Sequence, residues 1–465
     1  NFAIWARRKL IADITYKAGL IGVTEKGIAA PLPQSKPDIQ FFDIGTKHYS
    51  EVSGKEVAQR AALVSAIKGR ESTSDYKTAF QSIIEEVAYT WFNRLIAVRF
   101  MEVNDYLPSR VRVLSSETPK KNEPDFVTTP FDSDLEFTPY ERDRVLQLKD
   151  ENKLDQLFRM LFIKQCNKLN EILPELFEKT DDYTELLLTI SFTDTDDVVY
   201  HLTHDISEDD FNVYKEGQVE IIGWLYQYYI TEQNELVYDG TYKKDRIPKE
   251  LIPSATTIFT PDWVVRYMVE NSLGKLWLES HPNEKLKANW RYYLEEAEQT
   301  PEVAERLRVL RAQLPVKSPE DILLIDPCMG SGHILVYAFD VLMQIYESEG
   351  YSARDAAKLI LEKNLYGIDI DDRAYQLSYF ALMMKARQYD KRLFTRHIES
   401  NICSVQESNG LHVREYEGER LSLLDLPRSV AEYLIEVFHD AKEYGSLLNV
   451  RNYQYDTLSG YLDEL

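Results

Sequence analysis

Positive charge is scarce in this sequence of 465 residues. Lysine and arginine total 54 against 77 aspartates and glutamates, which leaves a net charge of −23. Proteins that bind nucleic acid draw much of their affinity from Lys and Arg side chains that neutralise phosphates. Composition therefore gives no support for a nucleic-acid-binding surface, and we expect any such surface to be local or to lie in sequence outside this chain.

Cysteine is scarce as well, and long apolar runs are absent. Cys166, Cys328 and Cys403 lie far apart and form no CxxC pair, which is typical of a reduced, cytoplasmic protein. No run of about 18 apolar residues is present, so no transmembrane helix is predicted. The first residues also lack the uninterrupted apolar stretch of a signal peptide.

The length exceeds what one hydrophobic core usually supports, so more than one domain is predicted. Apolar residues recur at helical spacing over residues 75–107, again near Leu154 and over 173–177, and residues 219–230 are apolar on nearly all sides, as in a buried helix. A polar connector at 232–253 has no periodicity. We therefore predict a helical domain at residues 1–253 and a second domain at 254–465.

One segment of the second half predicts a ligand-binding turn. Residues 322–325 form a short apolar run that leads into Asp326-Pro-Cys-Met-Gly-Ser-Gly332, and an amphipathic helix begins near His333. A strand, a tight glycine turn and a helix are the first unit of a doubly wound α/β domain. Gly330 and Gly332 allow a sharp turn, and the N–H groups at the helix start favour an anion.

A second strand is predicted at residues 365–371, and it ends in acidic side chains. Asp369 lies on this strand and is placed to accept hydrogen bonds from ribose hydroxyls. Asp371 and Asp372 follow it, and we interpret both as caps of the next helix.

Two nucleoside ligands compete for this pattern. A nicotinamide dinucleotide requires a third glycine in the turn, with the acid about 20 residues further on. Leu335 occupies the third glycine position, and Asp369 comes 37 residues after Gly332. S-adenosyl-L-methionine has no pyrophosphate and needs no third glycine, so the sequence favours this cofactor.

Residues 326–335 closely resemble motif I of amino-group DNA methyltransferases of the gamma arrangement, and residues 259–269 resemble their motif X. Motifs X, I and II occur here in the order of that class. Segments 2–8, 91–102 and 222–229 further resemble the PglX family, the methyltransferases of BREX phage-resistance systems. The resemblance implies an α/β protein, in which a helical N-terminal domain precedes the first part of a Rossmann-like, S-adenosylmethionine-dependent methyltransferase domain.

The resemblance also implies roles for individual residues. Thr260 and Pro261 would lie by the methionine end of the cofactor, and Asp369 would bind the ribose. Ile370 would pack on the adenine ring, and Asn401 would occupy the motif III position, where an Asp is more usual. The turn would shape the pocket through Asp326, Cys328, Gly330 and Gly332, with Cys328 not acting as a nucleophile.

The catalytic motif of that class, Asn/Asp-Pro-Pro-Tyr/Phe, is missing. The chain contains no Pro-Pro pair, and Pro427 is the only proline after Asn401. We therefore assign no catalytic residue and expect the chain to be the N-terminal part of a longer protein whose catalytic motif lies beyond the chain end. The resemblance implies that the full-length protein methylates adenine N6 in double-stranded DNA at specific sites, with the base flipped out. The resemblance further implies that other phage-defence proteins are partners. It also implies that the isolated chain is inactive.

Two other functions remain open from the sequence. The chain could be a cofactor-binding or assembly module of a defence complex without catalysis of its own, which its acidic charge favours. It could also be part of a fused restriction–modification enzyme, although no convincing nuclease signature is present. No metal site is predicted, because His201 and His204 have no identifiable third ligand. Arg7, Arg8 and Lys9 are interpreted as a solvated helix face.

Overall fold

The computed structural model describes residues 2–71, 74–118, 121–179, 182–215, 217–238, 247, 251–313, 315–409, 411 and 428–450. The chain forms two compact units. The first comprises Asn1–Glu235 together with Tyr379–His397, and the second comprises Leu236–Ser378 and Ile398–Leu465. The domain limits of 1–253 and 254–465 stay a prediction, because much of the connector at 232–253 lies outside the described residues.

The first unit is mainly helical, with two small antiparallel strand pairs, β1–β2 and β3–β4. Its elements in chain order are α1 Phe2–Leu20, β1 Val23–Thr24, β2 Gly27–Ile28, β3 Ile39–Phe42, β4 Ser50–Ser53, α2 Lys55–Glu71, α3 Tyr76–Val103, α4 Asp125–Thr128, α5 Pro139–Asp150, α6 Leu154–Leu169, α7 Tyr183–Leu186, α8 Val198–His204, α9 Glu208–Phe211, α10 Ile221–Tyr229 and α11 Thr231–Tyr238.

Helix α3 lies at the centre of the first unit, and its prediction from residues 75–107 is confirmed. Asp75 caps it by accepting a hydrogen bond from the Thr78 amide at 3.0 Å. Every residue from Trp91 to Val103 is buried, and α1 and α2 both pack against this helix. A helix that is covered on all sides needs apolar residues all round.

Arg99, Glu102 and Ser115 form a hydrogen-bonded group of polar side chains inside this core. Glu102 accepts hydrogen bonds from Arg99 Nη1 at 2.7 Å and from the backbone amides of Val113 and Leu114 at 2.8 Å each. Ser115 Oγ donates to the same carboxylate at 2.9 Å. The buried charge pair therefore fixes the segment that follows α3, and removal of one partner would leave the other uncompensated.

Three predictions about the first unit are wrong. Residues 173–177 form turns instead of a helix, because Pro174 has no amide hydrogen to donate. Helix α10 is not buried all round, since Trp224 and Tyr228 are 43% and 52% exposed; their four-residue spacing places both on one side of the helix. Arg7 is not solvated, because it donates to Glu85 and Glu232 and its side chain is only 14% exposed.

The second unit carries a three-stranded parallel sheet in the order β5-β6-β7. Helices α17 and α18 connect β5 to β6, and α19 connects β6 to β7. The elements, of which α19 continues past Ser378 into the first unit, are α12 Ile252–Thr256, α13 Asp262–Val269, α14 Lys275–Ser280, α15 Glu284–Lys287, α16 Pro301–Gln313, β5 Leu324–Asp326, α17 His333–Ser348, α18 Ala353–Leu359, β6 Leu365–Asp369, α19 Asp372–Tyr389, β7 Asn401–Ser404, α20 Arg428–Val437 and α21 Ala441–Tyr444.

The predicted strand–turn–helix order of the second half is confirmed in this sheet. Short apolar runs form β5 and β6, and α17 begins at His333 as the pattern indicates. The chain is thus a mixed α/β protein with many helices and few strands. Among the described residues, no helix is both long enough and apolar enough to cross a membrane.

Asp197, the cap of helix α8, predicts a pH-dependent stability. It is 5% exposed, its Oδ1 accepts from the Val199 amide at 2.9 Å, and burial raises its pKa to about 7. A carboxyl with a raised folded-state pKa stabilises the fold below its ordinary pKa and loses that contribution as the pH rises through 7. Asn keeps the capping oxygen but does not titrate. Asp197→Asn should therefore gain stability relative to the wild type as the pH rises. At about 1.4 kcal/mol per pKa unit, the difference in unfolding free energy should grow by on the order of 2 kcal/mol from pH 5 to pH 8.

Urea unfolding at several pH values measures this difference. Asp75→Asn is the matched control, because Asp75 is an exposed cap whose pKa is lowered by its hydrogen bonds to Thr78, and it is ionised at both pH values. If the unfolding free energies of Asp197→Asn and the wild type change with pH in the same way, burial does not raise the pKa of Asp197.

Candidate functional site

The candidate site lies at the carboxyl ends of β5 and β6, where the turn at residues 327–332 leads into α17. The Gly330 amide donates a hydrogen bond to Asp369 Oδ2 at 2.9 Å, and the Met329 amide donates to the Ile368 carbonyl at 3.1 Å. Both bonds join the turn to the neighbouring strand. Carboxyl ends of parallel strands are the usual ligand edge of such a sheet.

Glycine is required at two positions of the turn. Gly330 and Gly332 have φ values of 53° and 85°, in the left-handed region that other residues seldom adopt. A Cβ atom on Gly332 would lie 2.5 Å from Ser378 Oγ and 3.2 Å from Ser378 Cα. Gly332 therefore satisfies two demands, a left-handed backbone and close packing against α19, whereas a Cβ on Gly330 would meet open space.

The Asp369 carboxylate holds the turn in place. Its Oδ2 accepts from the Gly330 amide, and its Oδ1 accepts from the Asp371 amide, both at 2.9 Å. Burial raises the pKa of this carboxyl, while those backbone hydrogen bonds oppose the shift. An ionised carboxylate offers about four acceptor positions, so each Asp369 oxygen retains capacity for one more donor.

Asp326 is buried with half of its carboxylate unused. Its Oδ1 accepts from the Cys328 amide at 3.1 Å, whereas Oδ2 is buried and has no hydrogen-bond partner among the residues that the structure describes. The residue is 7% exposed, and burial raises its pKa. A buried acceptor without a partner is costly, so this oxygen is the atom of the turn most in need of a donor.

The segment that contains Thr260 and Pro261 lies beside this turn. Pro261 caps α13, and α13 packs against α17. The Phe259 ring meets the His333 ring edge-on at 6.4 Å between centroids. Arg266 lies over the Tyr337 ring at 4.7 Å, and Tyr337 Oη donates to Glu270 at 2.6 Å. Thr260 is half-buried and Pro261 is exposed.

Two further predicted residues also lie at this edge. Cys328 is an exposed residue of the turn. Partial desolvation of its thiol, together with the nearby carboxylates of Asp326 and Asp369, raises its pKa. A raised thiol pKa reduces the thiolate fraction and so makes a poor nucleophile. Ile370 is half-buried directly after β6.

Comparison with known proteins identifies proteins whose sequences are similar to this chain. The chain is 44% identical over 98% of its length to the adenine-specific methyltransferase PglX of Lacticaseibacillus casei (strain Zhang) and covers 38% of that protein. The resemblance to PglX is confirmed. The chain is also 40% identical over 83% of its length to the adenine-specific methyltransferase BrxX of Escherichia coli O9:H4 (strain HS), of which it covers 33%.

A shorter match joins the chain to a restriction–modification protein. It is 30% identical over 27% of the chain to a putative type II restriction enzyme and methyltransferase of Methanocaldococcus jannaschii, and it covers 11% of that relative. No protein-family model matches the chain. The chain thus spans little more than a third of PglX and a third of BrxX.

The structure does not bring Asn401, the motif III candidate implied by the PglX resemblance, to the site. Asn401 begins β7, opposite Tyr366, whereas Ser404 lies opposite Asp369. The Asn401 amide donates to the backbone carbonyls of Leu361 and Glu362 at 3.3 and 2.9 Å. Because the strands are parallel, Asn401 lies at the end of the sheet away from the turn, where it fixes the start of β6.

Ser404 and Gln406 lie instead at the ligand edge, and the sequence analysis missed both. Gln406 Nε2 donates to Ser404 Oγ at 2.7 Å and to Asp372 Oδ1 at 2.8 Å, and Lys442 Nζ donates to Asp372 Oδ2 at 2.6 Å. Asp372 is therefore an ion-pair partner rather than a helix cap. The cap is Asp371, whose Oδ1 accepts from the Arg373 amide at 3.1 Å.

His333 was also missed, because a histidine at a helix start carries no distinctive pattern. Its Nδ1 lies 3.2 Å from Ser331 Oγ, and burial lowers its pKa, which favours the neutral imidazole. In the first unit, His201 Nδ1 pairs with Asp205 at 2.6 Å and His204 stacks on Tyr200. No group of three potential metal ligands occurs in the described part of the chain.

The two turn glycines give a prediction about stability. Gly332→Ala adds a Cβ that overlaps Ser378, whereas Gly330→Ala incurs only the strain of a left-handed backbone, about 1 kcal/mol. We expect Gly332→Ala to lower the free energy of unfolding by roughly 1–3 kcal/mol more than Gly330→Ala, the usual range for overpacking. Urea unfolding measures both variants, and adding Ser378→Gly to Gly332→Ala should recover part of the loss. Equal losses for the two single variants would contradict the packing of α19 against Gly332.

Proposed function

We propose that the second unit binds S-adenosyl-L-methionine in a Rossmann-like methyltransferase domain, and that the helical residues 1–253 and the residues 254–465 act within a longer DNA methyltransferase. The observation that supports this best is the unpartnered Asp326 Oδ2 beside the left-handed glycine turn. A buried acceptor of negative charge fits an ammonium donor, and the amino acid moiety of this cofactor carries one.

Each residue of the turn has a role in this proposal. Asp326 accepts a hydrogen bond from the ammonium of the cofactor. The N–H groups at the start of α17 donate to the cofactor carboxylate, which lies beside Thr260 and Pro261. Asp369 accepts the ribose hydroxyls on its remaining acceptor positions, and Ile370 packs on the adenine ring. Cys328, Gly330 and Gly332 contribute backbone. The cofactor supplies the methyl group.

A nicotinamide dinucleotide fits the turn less well. The third glycine of a dinucleotide turn eases packing of the helix on the strand. Leu335 stands at that position, is fully buried, and its Cδ1 lies 2.9 Å from a Cβ built on Gly367. Here a large side chain fills the space between helix and strand, so the close helix–strand packing that a third glycine gives a dinucleotide fold is not made.

For the longer protein we propose adenine-N6 methylation of double-stranded DNA in a BREX-like phage-defence system. The two relatives that match most of the chain are named adenine-specific methyltransferases, and a partial relative is named a restriction enzyme and methyltransferase. With a net charge of −23, this chain repels duplex DNA at long range. DNA contacts, and contacts with other defence proteins, are therefore assigned to the full-length protein in the cytoplasm.

Asp326→Asn separates cofactor binding from folding. Asn retains the Oδ1 that accepts from Cys328 but presents an amide where Oδ2 would accept the ammonium. Loss of one hydrogen bond to a charged group corresponds to roughly 1.5–3 kcal/mol, or about 10- to 100-fold weaker binding. Stability should rise at neutral pH, because a carboxyl whose folded-state pKa is raised destabilises the fold above that pKa.

Calorimetric titration with S-adenosyl-L-methionine and urea unfolding measure the two effects. Asp197→Asn is the matched control, since it removes a buried carboxylate in the other unit and should raise stability without changing cofactor affinity. Unchanged affinity in Asp326→Asn would remove this carboxylate from the cofactor site.

Methyl transfer should require sequence beyond this chain. We expect the 465-residue protein to bind the cofactor but transfer no tritiated methyl group to adenine in duplex DNA, because it lacks the Pro-Pro motif that clamps the flipped base. A polypeptide extended to the length of its relatives should transfer the methyl group, and Asp326→Asn in that polypeptide should slow the transfer at subsaturating cofactor. Incorporation by the 465-residue protein alone would show that catalysis lies within it.

A further inference from the structure

A cleft opens between the end of α14 and the segment that contains α16, both of which belong to the second unit. Its volume is about 590 Å³, and sites for small molecules usually measure roughly 300–1,000 Å³. The side chains that line it include Ser280, His281, Arg308, Arg311 and Lys317. None of its described lining residues belongs to the candidate cofactor site, so the cleft is a separate feature of this unit.

The charge of the cleft is opposite to that of the whole chain. Arg308, Arg311 and Lys317 bring three positive charges to its lining, and Glu279 brings one negative charge. The described lining residues therefore leave two positive charges in excess, whereas the chain carries a net charge of −23. A concave site with an excess of one sign of charge concentrates ligands of the opposite sign, so this cleft suits an anion.

Ion pairs hold the two arginines in the wall of the cleft. Glu305 accepts from Arg308 Nε at 2.8 Å and from Nη2 at 2.7 Å. Glu279 and Glu296 accept from Arg311 at 2.9 and 3.1 Å. These pairs offset part of the positive charge and orient both guanidinium groups. A guanidinium has five N–H donors, and Arg308 Nη1 makes no hydrogen bond to the described residues, so it is available to a ligand.

Three more groups around the cleft can donate and have no partner in the described part of the chain. His281 Nδ1 is buried without a hydrogen bond, and its ring is stacked on the Trp277 ring at 3.8 Å between centroids, which fixes its orientation. The Lys317 ammonium and the Ser280 hydroxyl also form no hydrogen bond or ion pair there. A buried polar atom without a partner costs free energy, and a ligand that accepts hydrogen bonds would offset this cost.

Helix α16, which forms one wall of the cleft, has little packing of its own. None of its residues is buried, and an isolated helix of this length is only marginally stable in water. The ion pair between Arg311 and Glu279 connects it to α14. A ligand that contacts both walls would therefore order α16 as it binds.

We propose that this cleft binds a small anion with more than one phosphate group, of the size of a nucleoside polyphosphate. The phosphate oxygens accept from Lys317 Nζ, Arg308 Nη1 and Ser280 Oγ, and the His281 imidazole donates from Nδ1. A concave cleft encloses a small ligand, whereas duplex DNA would contact only its outer margin. The inference concerns binding alone and does not rest on the proposed cofactor site.

Calorimetric titration of the 465-residue chain with inorganic pyrophosphate, and separately with adenosine triphosphate, tests the proposal. We expect saturable binding at one site for both anions. Lys317→Ala and Arg308→Ala should each weaken it about tenfold or more, because each removes a charged hydrogen-bond donor. Arg306→Ala is the matched control, since Arg306 is an exposed cation of the same helix outside the described lining of the cleft. Tighter binding of the triphosphate would show that the nucleoside is also recognised.

Absence of saturable binding for both anions would overturn the proposal. An equal loss of affinity in Arg306→Ala and Arg308→Ala would overturn it too, because the anion would then respond to general surface charge. Saturating S-adenosyl-L-methionine and the Asp326→Asn variant should both leave pyrophosphate affinity unchanged. Competition between the two ligands would place the anion in the cofactor site instead, so failure of this inference can be distinguished from failure of the proposed function.

Hydrogen–deuterium exchange of α16 provides a second readout. Saturating pyrophosphate should slow amide exchange over Pro301–Gln313 several-fold, because the bound anion connects this helix to the end of α14. His281→Phe keeps a ring on Trp277 but removes Nδ1, and it should weaken binding and reduce this protection. Unchanged exchange over α16 at saturating pyrophosphate would contradict an anion that contacts both walls of the cleft.

Discussion

The hydrogen bond from the Gly330 amide to Asp369 Oδ2 connects the parts of the candidate site. It joins the turn after β5 to the last residue of β6, so that the two strand ends and the start of α17 have a fixed relation. The bond is possible only because Gly330 and Gly332 adopt left-handed backbone conformations and because Gly332 has no Cβ to meet Ser378. Thus the backbone freedom of two glycines sets the position of a carboxylate on another strand.

The same edge of the sheet holds two carboxyl groups whose burial is unfavourable. Burial raises the pKa of both Asp326 and Asp369, which means that their ionised forms lower the free energy of unfolding at neutral pH. Asp369 recovers part of this loss through two backbone donors, whereas Asp326 Oδ2 has none. Buried groups with perturbed pKa values are common at functional sites, and a cationic ligand would relieve this unfavourable burial.

Several basic side chains of the first unit form ion pairs with acidic side chains of the same chain. Arg7 and Arg8 pair with Glu232, and Arg99 pairs with Glu102 in the core of the first unit. By contrast, Leu323 and Ile325, which lie just before and within β5, are apolar side chains that are exposed. The acidic balance agrees with the proposal that DNA contacts belong to the longer protein.

Local pattern by itself determined the strands β5 and β6, the glycine turn, helix α3 and the cap that Asp371 provides for α19, because each depends on residues close together in the chain. Tertiary structure decided the rest. Asn401 lies at the far end of its strand because register is set by pairing with β6, and Trp224 and Tyr228 are exposed because nothing within the described residues covers that side of α10. The lack of a partner for Asp326 Oδ2 among the described residues also depends on packing between distant segments, which no local periodicity contains.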